Sequence, residues 1–273
     1  MPTITTNGIW MRYLQEGSGE PVLLAHGYLF GADWWRPQID ALSSRYQVVA
    51  PDLRGQMDTE TSPDQESFDL WNQAEDLHGL IAELGIAPVH FVGLSMGGMI
   101  GIRLALRHPG DIRSLVLMDT SAHPEDPEKV ERYEAMLTVV EAGQIAAVTP
   151  ALPPIFLADD FIADHPAEVD AWLQRAIAAD PMGLVRALRA VDGRDDVSPR
   201  LGEITVPTLV IHGTDDVAIP MERAEQLAAG IPGARLETVS GGHQSNVDRP
   251  AETSALISAF LAQVPAGAGT IGR

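Results

Sequence analysis

The sequence contains no cysteine, which excludes disulfide bridges, a thiol nucleophile and a cysteine-ligated metal. Lysine is almost as scarce, with Lys129 the only one. The 18 Lys and Arg residues are outnumbered by 38 Asp and Glu, giving a formal net charge of -20. A surface of that sign repels nucleic acid and anionic membranes, so neither is expected as a partner. It reads instead as an acidic, solvated exterior. No apolar run approaches the ~20 residues a membrane span requires. Met1 to Gln15 is neither basic nor continuously apolar, so no signal peptide is expected and the address predicted is cytoplasmic. Also missing are a His-Glu-x-x-His pair, a phosphate loop and a dinucleotide fingerprint, so no metal and no cofactor is expected. Self-association is left open.

The 273 residues, 45% of them hydrophobic, suffice for one large core plus an insertion. Short apolar runs alternate with helical patterns, which predicts an α/β fold with a mostly parallel sheet. Ile9 to Leu14, Val22 to Ala25, Tyr46 to Ala50, Val89 to Val92, Ser114 to Met118, Pro207 to His212 and Arg235 to Val239 read as strands. Trp34 to Leu42 reads as a helix. Leu70, Ala74, Leu77, Ile81 and Leu84 share a second helical face, with Gly85 placed to end it. A closing helix follows Pro250.

Between Ser121 and about Gly202 the alternation stops and the pattern is helical. Asp126-Pro127, His165-Pro166 and Asp180-Pro181 read as helix starts, and Gly143 as a stop. Pro153-Pro154 makes Leu152 to Leu157 unsuited to a helix interior. The organisation expected is therefore a core of residues 1–120 and 203–264, a helical cap of 121–202, and a frayed Gly/Ala-rich tail of 265–273.

Gly93-Leu94-Ser95-Met96-Gly97 is the most informative stretch. A strand, a glycine-flanked serine and then a helix lift the hydroxyl onto a sharp turn, with the N–H groups of the helix start behind it. A serine hydroxyl is a poor nucleophile until a base takes its proton. Of eight histidines, His243 stands out because it follows Gly241-Gly242 on a loop after the last strand, at the sheet edge expected for Ser95. A base needs an acid to hold its tautomer. Asp216 follows the strand ending at His212, while Asp119, at the end of another strand, and Asp215 are rivals. His26 is a rival base.

The order Ser95, Asp216, His243 resembles that of the α/β-hydrolase fold. His26-Gly27, Asp52-Leu53-Arg54-Gly55, Gly213 to Pro220, Gly242-His243 and Asp248-Arg249-Pro250 extend the likeness over nearly the whole chain. Gly93 to Met99 with Leu115 to Ser121 is most similar to small bacterial esterases, enol-lactonases and cofactor-free haloperoxidase-like enzymes. The resemblance implies a sheet of about eight strands with a cap after the sixth. It also implies a Ser-His-Asp triad, a supporting role for His26, and an oxyanion hole of the Tyr28 and Met96 N–H groups. The expected activity is hydrolysis of a small, partly apolar ester or lactone through an acyl-enzyme. Carbon–carbon bond hydrolysis, peracid formation and a ligand sensor are the alternatives it admits. Serine at 95 argues against the branches that place aspartate there.

Pocket candidates are Trp34, Trp35 and the cap residues Leu152, Ile155, Phe156, Phe161 and Trp172, although packing explains tryptophans at a helix start as well. Relatives read Arg-Gly-x-Gly after the fourth strand, whereas this chain has Met57 at the second glycine. If that position has positive φ, Met57 strains or remodels the loop beside the pocket.

Overall fold

A computed structural model describes residues 2–61 and 68–265. Eight strands form one sheet: β1 (Thr3–Thr6), β2 (Ile9–Gly17), β3 (Glu20–Ala25), β4 (Tyr46–Pro51), β5 (Val89–Leu94), β6 (Ile112–Met118), β7 (Thr208–Gly213) and β8 (Arg235–Val239). Their order is β1-β2-β4-β3-β5-β6-β7-β8. The β1–β2 and β2–β4 pairs are antiparallel, and the other pairs are parallel.

The inner strands read as unbroken apolar runs because both of their faces are buried. Val22 and Leu24 of β3 pack beneath α1 (Arg36–Leu42) with Trp35, Ile39 and Leu42. Leu23 and Ala25 point the other way, into the core shared with α2 (Leu70–Leu84) and α3 (Met96–Arg107). The first face is completed by Ile257 and Phe260 of the closing helix described below. Asp69 starts α2 by accepting the Asn72 N–H at 2.7 Å, and Gly85 ends it at φ 64°.

Three local details differ from the sequence reading. The edge strand β1 carries no apolar run and went unread. Ala32–Trp35 is a 3-10 turn, so the helix begins at Arg36 with proline in its first turn. Pro153 and Pro154 open a one-turn helix, where an absent N–H costs nothing.

Between β6 and β7 the chain forms α4 (Pro127–Glu141), α5 (Pro153–Phe156), α6 (Asp159–Asp164), α7 (Pro166–Ala178) and α8 (Pro181–Asp192). Among the described residues this stretch contains no strand. It lies against the carboxyl ends of the sheet strands. Trp172 Nε1 donates to the Leu29 carbonyl at 3.0 Å, and the Phe156 carbonyl accepts the Gln244 N–H at 2.8 Å. After β7 come α9 (Met221–Gly230), α10 (Ser245–Asp248) and the closing helix α11 (Pro250–Leu261). The tail expected to fray falls, from residue 266 onward, outside the described residues. No helix among those residues is long and apolar enough to cross a membrane.

Candidate active site

The chain after β3 goes to β4 on one side, and β5 lies on the other, so the carboxyl ends of β3 and β5 flank the switch point where crevices form. Ser95 stands there, between β5 and α3, at φ 52° and ψ -118°. That is strained backbone for a residue with a side chain, and it holds the hydroxyl up from the turn. Its N–H donates to the Met118 carbonyl at 2.8 Å, and its carbonyl accepts the Thr120 hydroxyl at 2.7 Å. The flanking glycines are required by space. A Cβ at Gly93 would stand 2.5 Å from the Gly97 carbonyl oxygen, and one at Gly97 would collide with the Ala25 carbonyl.

His243 Nε2 lies 2.8 Å from Ser95 Oγ, and His243 Nδ1 lies 2.8 Å from Asp216 Oδ2. Nδ1–H therefore donates to Asp216, and Nε2 is the lone pair facing the serine. Asp216 keeps its own aim because Oδ1 accepts the Ala218 and Ile219 N–H groups at 2.8 and 2.9 Å. Burial of His243 works against its charge, but the charge and hydrogen bond of Asp216 outweigh it and raise the pKa. Asp119, the rival acid, has its oxygens on the Gly213 N–H and the Ser245 hydroxyl instead. Asp215 is exposed. His26 has no nitrogen to spare: Nδ1–H donates to the Gly27 carbonyl at 2.7 Å, and Nε2 accepts the Leu53 N–H at 2.8 Å.

The Tyr28 and Met96 N–H groups make no hydrogen bond to another described residue. Met96 is the first residue of α3, where free N–H groups and the helix dipole favour negative charge. Leu29, at φ 68°, turns the chain beside Tyr28, and its N–H donates to Gln56 Oε1 at 2.8 Å. The Gln56 amide nitrogen also lies 3.9 Å from Met96 Sδ. Gln56 thus braces the turn beside Tyr28 through its backbone and touches the Met96 side chain. Sequence reasoning passed it over, because nothing in Arg54-Gly55-Gln56 announces a contact with a turn 27 residues upstream.

The profile of the α/β hydrolase fold family matches residues 20–250. The chain belongs to that family. Among curated relatives, "Putative carbamate hydrolase RutD" of Stutzerimonas stutzeri is 31% identical over 246 residues, covering 87% of this chain and 91% of that protein. Among solved structures, the enol-lactonase from Burkholderia xenovorans LB400 has a TM-score of 0.90 at 28% identity, covering 96% of this chain and 100% of that one. A thermophilic esterase from Thermogutta terrifontis has a TM-score of 0.89 at 28% identity, covering 96% and 98%.

In this α/β hydrolase Ser95 and His243 open onto a small cavity of about 70 Å³. Leu152, Ile155 and Phe156, expected in the pocket, line it. Trp34, Trp35, Met57, Phe161 and Trp172 do not. Trp35 is buried in the sheet core. Trp172 stacks on Phe30 at 4.8 Å with Trp34 edge-on to both, and Phe161 stacks on His165 at 4.5 Å. Phe30, Trp34 and Trp172 pack the segment between β6 and β7 onto the turn after β3, whereas Phe161 and His165 stack within that segment. Met57 has φ 50°, so the expected strain is present, but its side chain turns toward Gly31.

The rest of the wall went unread: Met99, Tyr133, Met136, Leu188, Val191, Ala218, Ile219 and, as its carboxylate, Glu125. Glu125 is held by Arg194 at 3.2 Å and faces Lys129 at 3.7 Å. Nearby Asp192 has neither oxygen hydrogen-bonded, and burial with the charge of Glu125 pushes it up to about 7.

Two groups of described residues bring three ligand-type atoms within 4.8 Å of one another. In His78, His108 and Asp111 the imidazoles stack at 3.7 Å with planes 4° apart, so their lone pairs run parallel and do not converge on one ion. In Asp119, His212 and Asp216 the carboxylates are already committed to Gly213, Ser245 and His243.

Proposed function

We propose that the chain is a serine hydrolase of small, partly apolar carboxylic esters or lactones. The observation that carries this reading is the unbroken line from Ser95 Oγ through His243 to Asp216, both links 2.8 Å, at the floor of an apolar cavity. His243 takes the Ser95 proton as Oγ attacks the carbonyl carbon. The oxygen that gains charge is received by the Tyr28 and Met96 N–H groups, and one such donor is worth about 10²–10³ in kcat. His243 then hands its proton to the leaving oxygen, and water, activated by the same nitrogen, releases the acid from the acyl-enzyme. Base and acid assistance contribute about 10²–10⁴-fold. The segment 121–202 serves as a cap that limits acyl size, since Leu152, Ile155 and Phe156 stand over the serine.

A carbamate is the second reading. The name of the curated relatives favours it, as does Glu125 in the cavity wall, which can accept an N–H from the carbamate nitrogen. The carbonyl chemistry is otherwise the same.

Ser95→Ala is expected to abolish turnover of p-nitrophenyl acetate with an unchanged circular dichroism spectrum, and a fluorophosphonate is expected to label wild type at Ser95 alone. Full turnover by the alanine variant rejects the nucleophile. Rates on matched acetate esters, lactones and carbamates then separate the two readings.

A further inference from the structure

Asp119 is wholly buried and sits at φ 47°, a left-handed conformation strained for aspartate. Its neighbours fasten the nucleophile turn: the Met118 carbonyl holds the Ser95 N–H, and the Thr120 hydroxyl holds the Ser95 carbonyl. Its own carboxyl reaches the two other loops of the site. Oδ1 accepts the N–H of Gly213, three residues before Asp216, at 2.7 Å. Oδ2 lies 2.5 Å from the hydroxyl of Ser245, two residues after His243. One side chain thus ties the acid loop to the base loop at the end of the strand that anchors the serine.

The ring of His212 lies between this carboxyl and that of Asp216, with Nδ1 3.6 Å from Asp119 Oδ1 and Nε2 3.8 Å from Asp216 Oδ2. Nε2–H donates to the Ile219 carbonyl at 3.1 Å, so Nδ1 is a lone pair, buried and without a partner. With Asp119 ionised, that lone pair would face an anionic oxygen, and two carboxylates would bracket a neutral ring. A proton on Asp119 removes the negative charge from both contacts, and placed on Oδ2 it lies in the short 2.5 Å contact with Ser245 Oγ, whose hydroxyl is the donor when the carboxyl is ionised.

We propose that Asp119 is a positioning residue that works as a neutral carboxylic acid, locking the Asp216 and His243 loops together while Asp216 alone carries the charge opposite His243. The proposal rests on the triad reading given above. Burial, reinforced by the charge of Asp216, pushes Asp119 up to about 8. The groups facing it are His212 and Asp216 from β7 and its loop, and His243 and Ser245 from the loop after β8.

The test combines a spectrum with kinetics. At pH 7 the wild-type infrared spectrum is expected to hold a carboxylic-acid carbonyl band that Asp119→Asn lacks; identical bands in the two proteins overturn the proposal, whether or not an ester is turned over. Asp119→Ala loses both bonds and is expected to lower kcat by about 10²-fold with KM nearly unchanged. Asp119→Asn rebuilds them, with its oxygen on Gly213 and its amide donating to Ser245, and is expected to rescue most of that loss. It is also expected to remove an inflection near pH 8 from the wild-type profile. If Asp119→Ala does not fold, Asp119→Asn and the infrared band decide alone. An Asp119→Asn loss as deep as that of Asp216→Asn, about 10⁴-fold in a comparable triad, makes Asp119 the charged acid and overturns the proposal. Failure of Ser95→Ala to stop turnover would instead reject the triad reading itself.

Discussion

The Phe156 ring stands 5.7 Å from the His243 imidazole, tilted by 49°, and its carbonyl accepts the N–H of Gln244. A residue of the segment between β6 and β7 therefore walls the cavity and braces the base loop through its backbone. Phe156→Ala leaves the backbone bond and removes the wall. Its ring is only half-buried, so the stability loss should stay below the roughly 3–5 kcal/mol of a fully buried phenylalanine. The expected kinetic result is a shift in preference, with hexanoate esters gaining on acetate in kcat/KM. An unchanged acetate-to-hexanoate ratio would show that Phe156 does not limit the acyl group.

Asp216 raises the pKa of His243 against the pull of burial. The protonated imidazolium has no lone pair for Ser95, so kcat/KM should fall as pH drops through that raised value. In Asp216→Asn burial loses its main opponent, which moves the acid limb to lower pH. The same change frees the imidazole to take the wrong tautomer, and the plateau should drop by about 10⁴-fold. A pH–rate profile of both proteins checks the two effects together. An acid limb that stays in place in the variant removes Asp216 as the cause.

The features of the site that could be read in the sequence are those set by local backbone. Ser95 is flanked by glycines because a Cβ at either position meets a carbonyl, and that leaves a mark in the residue string. The inner strands show themselves because both faces are buried. β1 does not, because Thr3–Thr6 pairs only with β2 at the edge and is largely exposed. Gln56 and the remainder of the cavity wall, beyond Leu152, Ile155 and Phe156, were illegible for a different reason. Glu125, Tyr133 and Leu188 come from separate turns of the segment after β6, and only tertiary packing brings them before Ser95. Trp34 and Trp172, expected in the pocket, instead pack that segment onto the core with Phe30.

Three buried carboxyls predict how stability varies with pH. Burial raises Asp248 to about 6, Asp192 to about 7 and Asp119 to about 8, from an ordinary value of 3.8. The native state therefore holds protons that the unfolded chain has released, and stability is lost as pH rises through the folded values. His26, His90 and His212 are lowered and oppose this in acid, but above pH 6.5 they are neutral in both states. The melting temperature should accordingly fall between about pH 6.5 and 8.5. Asp192, whose oxygens have no partner, is the group to neutralise. Asp192→Asn should raise the pH 8 melting temperature by roughly 2–4 °C if about 1 kcal/mol is relieved. A flat melting curve across that range, or a lower value in the variant, counts against the assignment.

Met57 and Gly31 explain each other. Met57 adopts φ 50°, which costs a residue with a Cβ about 1–2 kcal/mol relative to the right-handed region. Its side chain fills the space beside Gly31, where a Cβ would stand 2.6 Å from Met57 Cγ and 2.9 Å from Asp52 Oδ1. Gly31 has extended backbone at φ -152°, so it is the space and not the torsion that requires glycine there. Met57→Gly relieves the torsion, but glycine gives back roughly 0.5–1 kcal/mol in chain entropy, and the half-buried side chain is lost as well. The net change should be small. Gly31→Ala alone should destabilise by about 1–3 kcal/mol through overpacking. In the Met57→Gly background that cost should shrink, though not vanish, because Asp52 Oδ1 is fixed by the Ala32 N–H at 2.7 Å. Denaturant melts of the two single variants and the double variant measure the coupling, expected at about 0.5–3 kcal/mol. Additivity within roughly 0.3–0.5 kcal/mol would mean that the methionine and the glycine tolerate each other by accident.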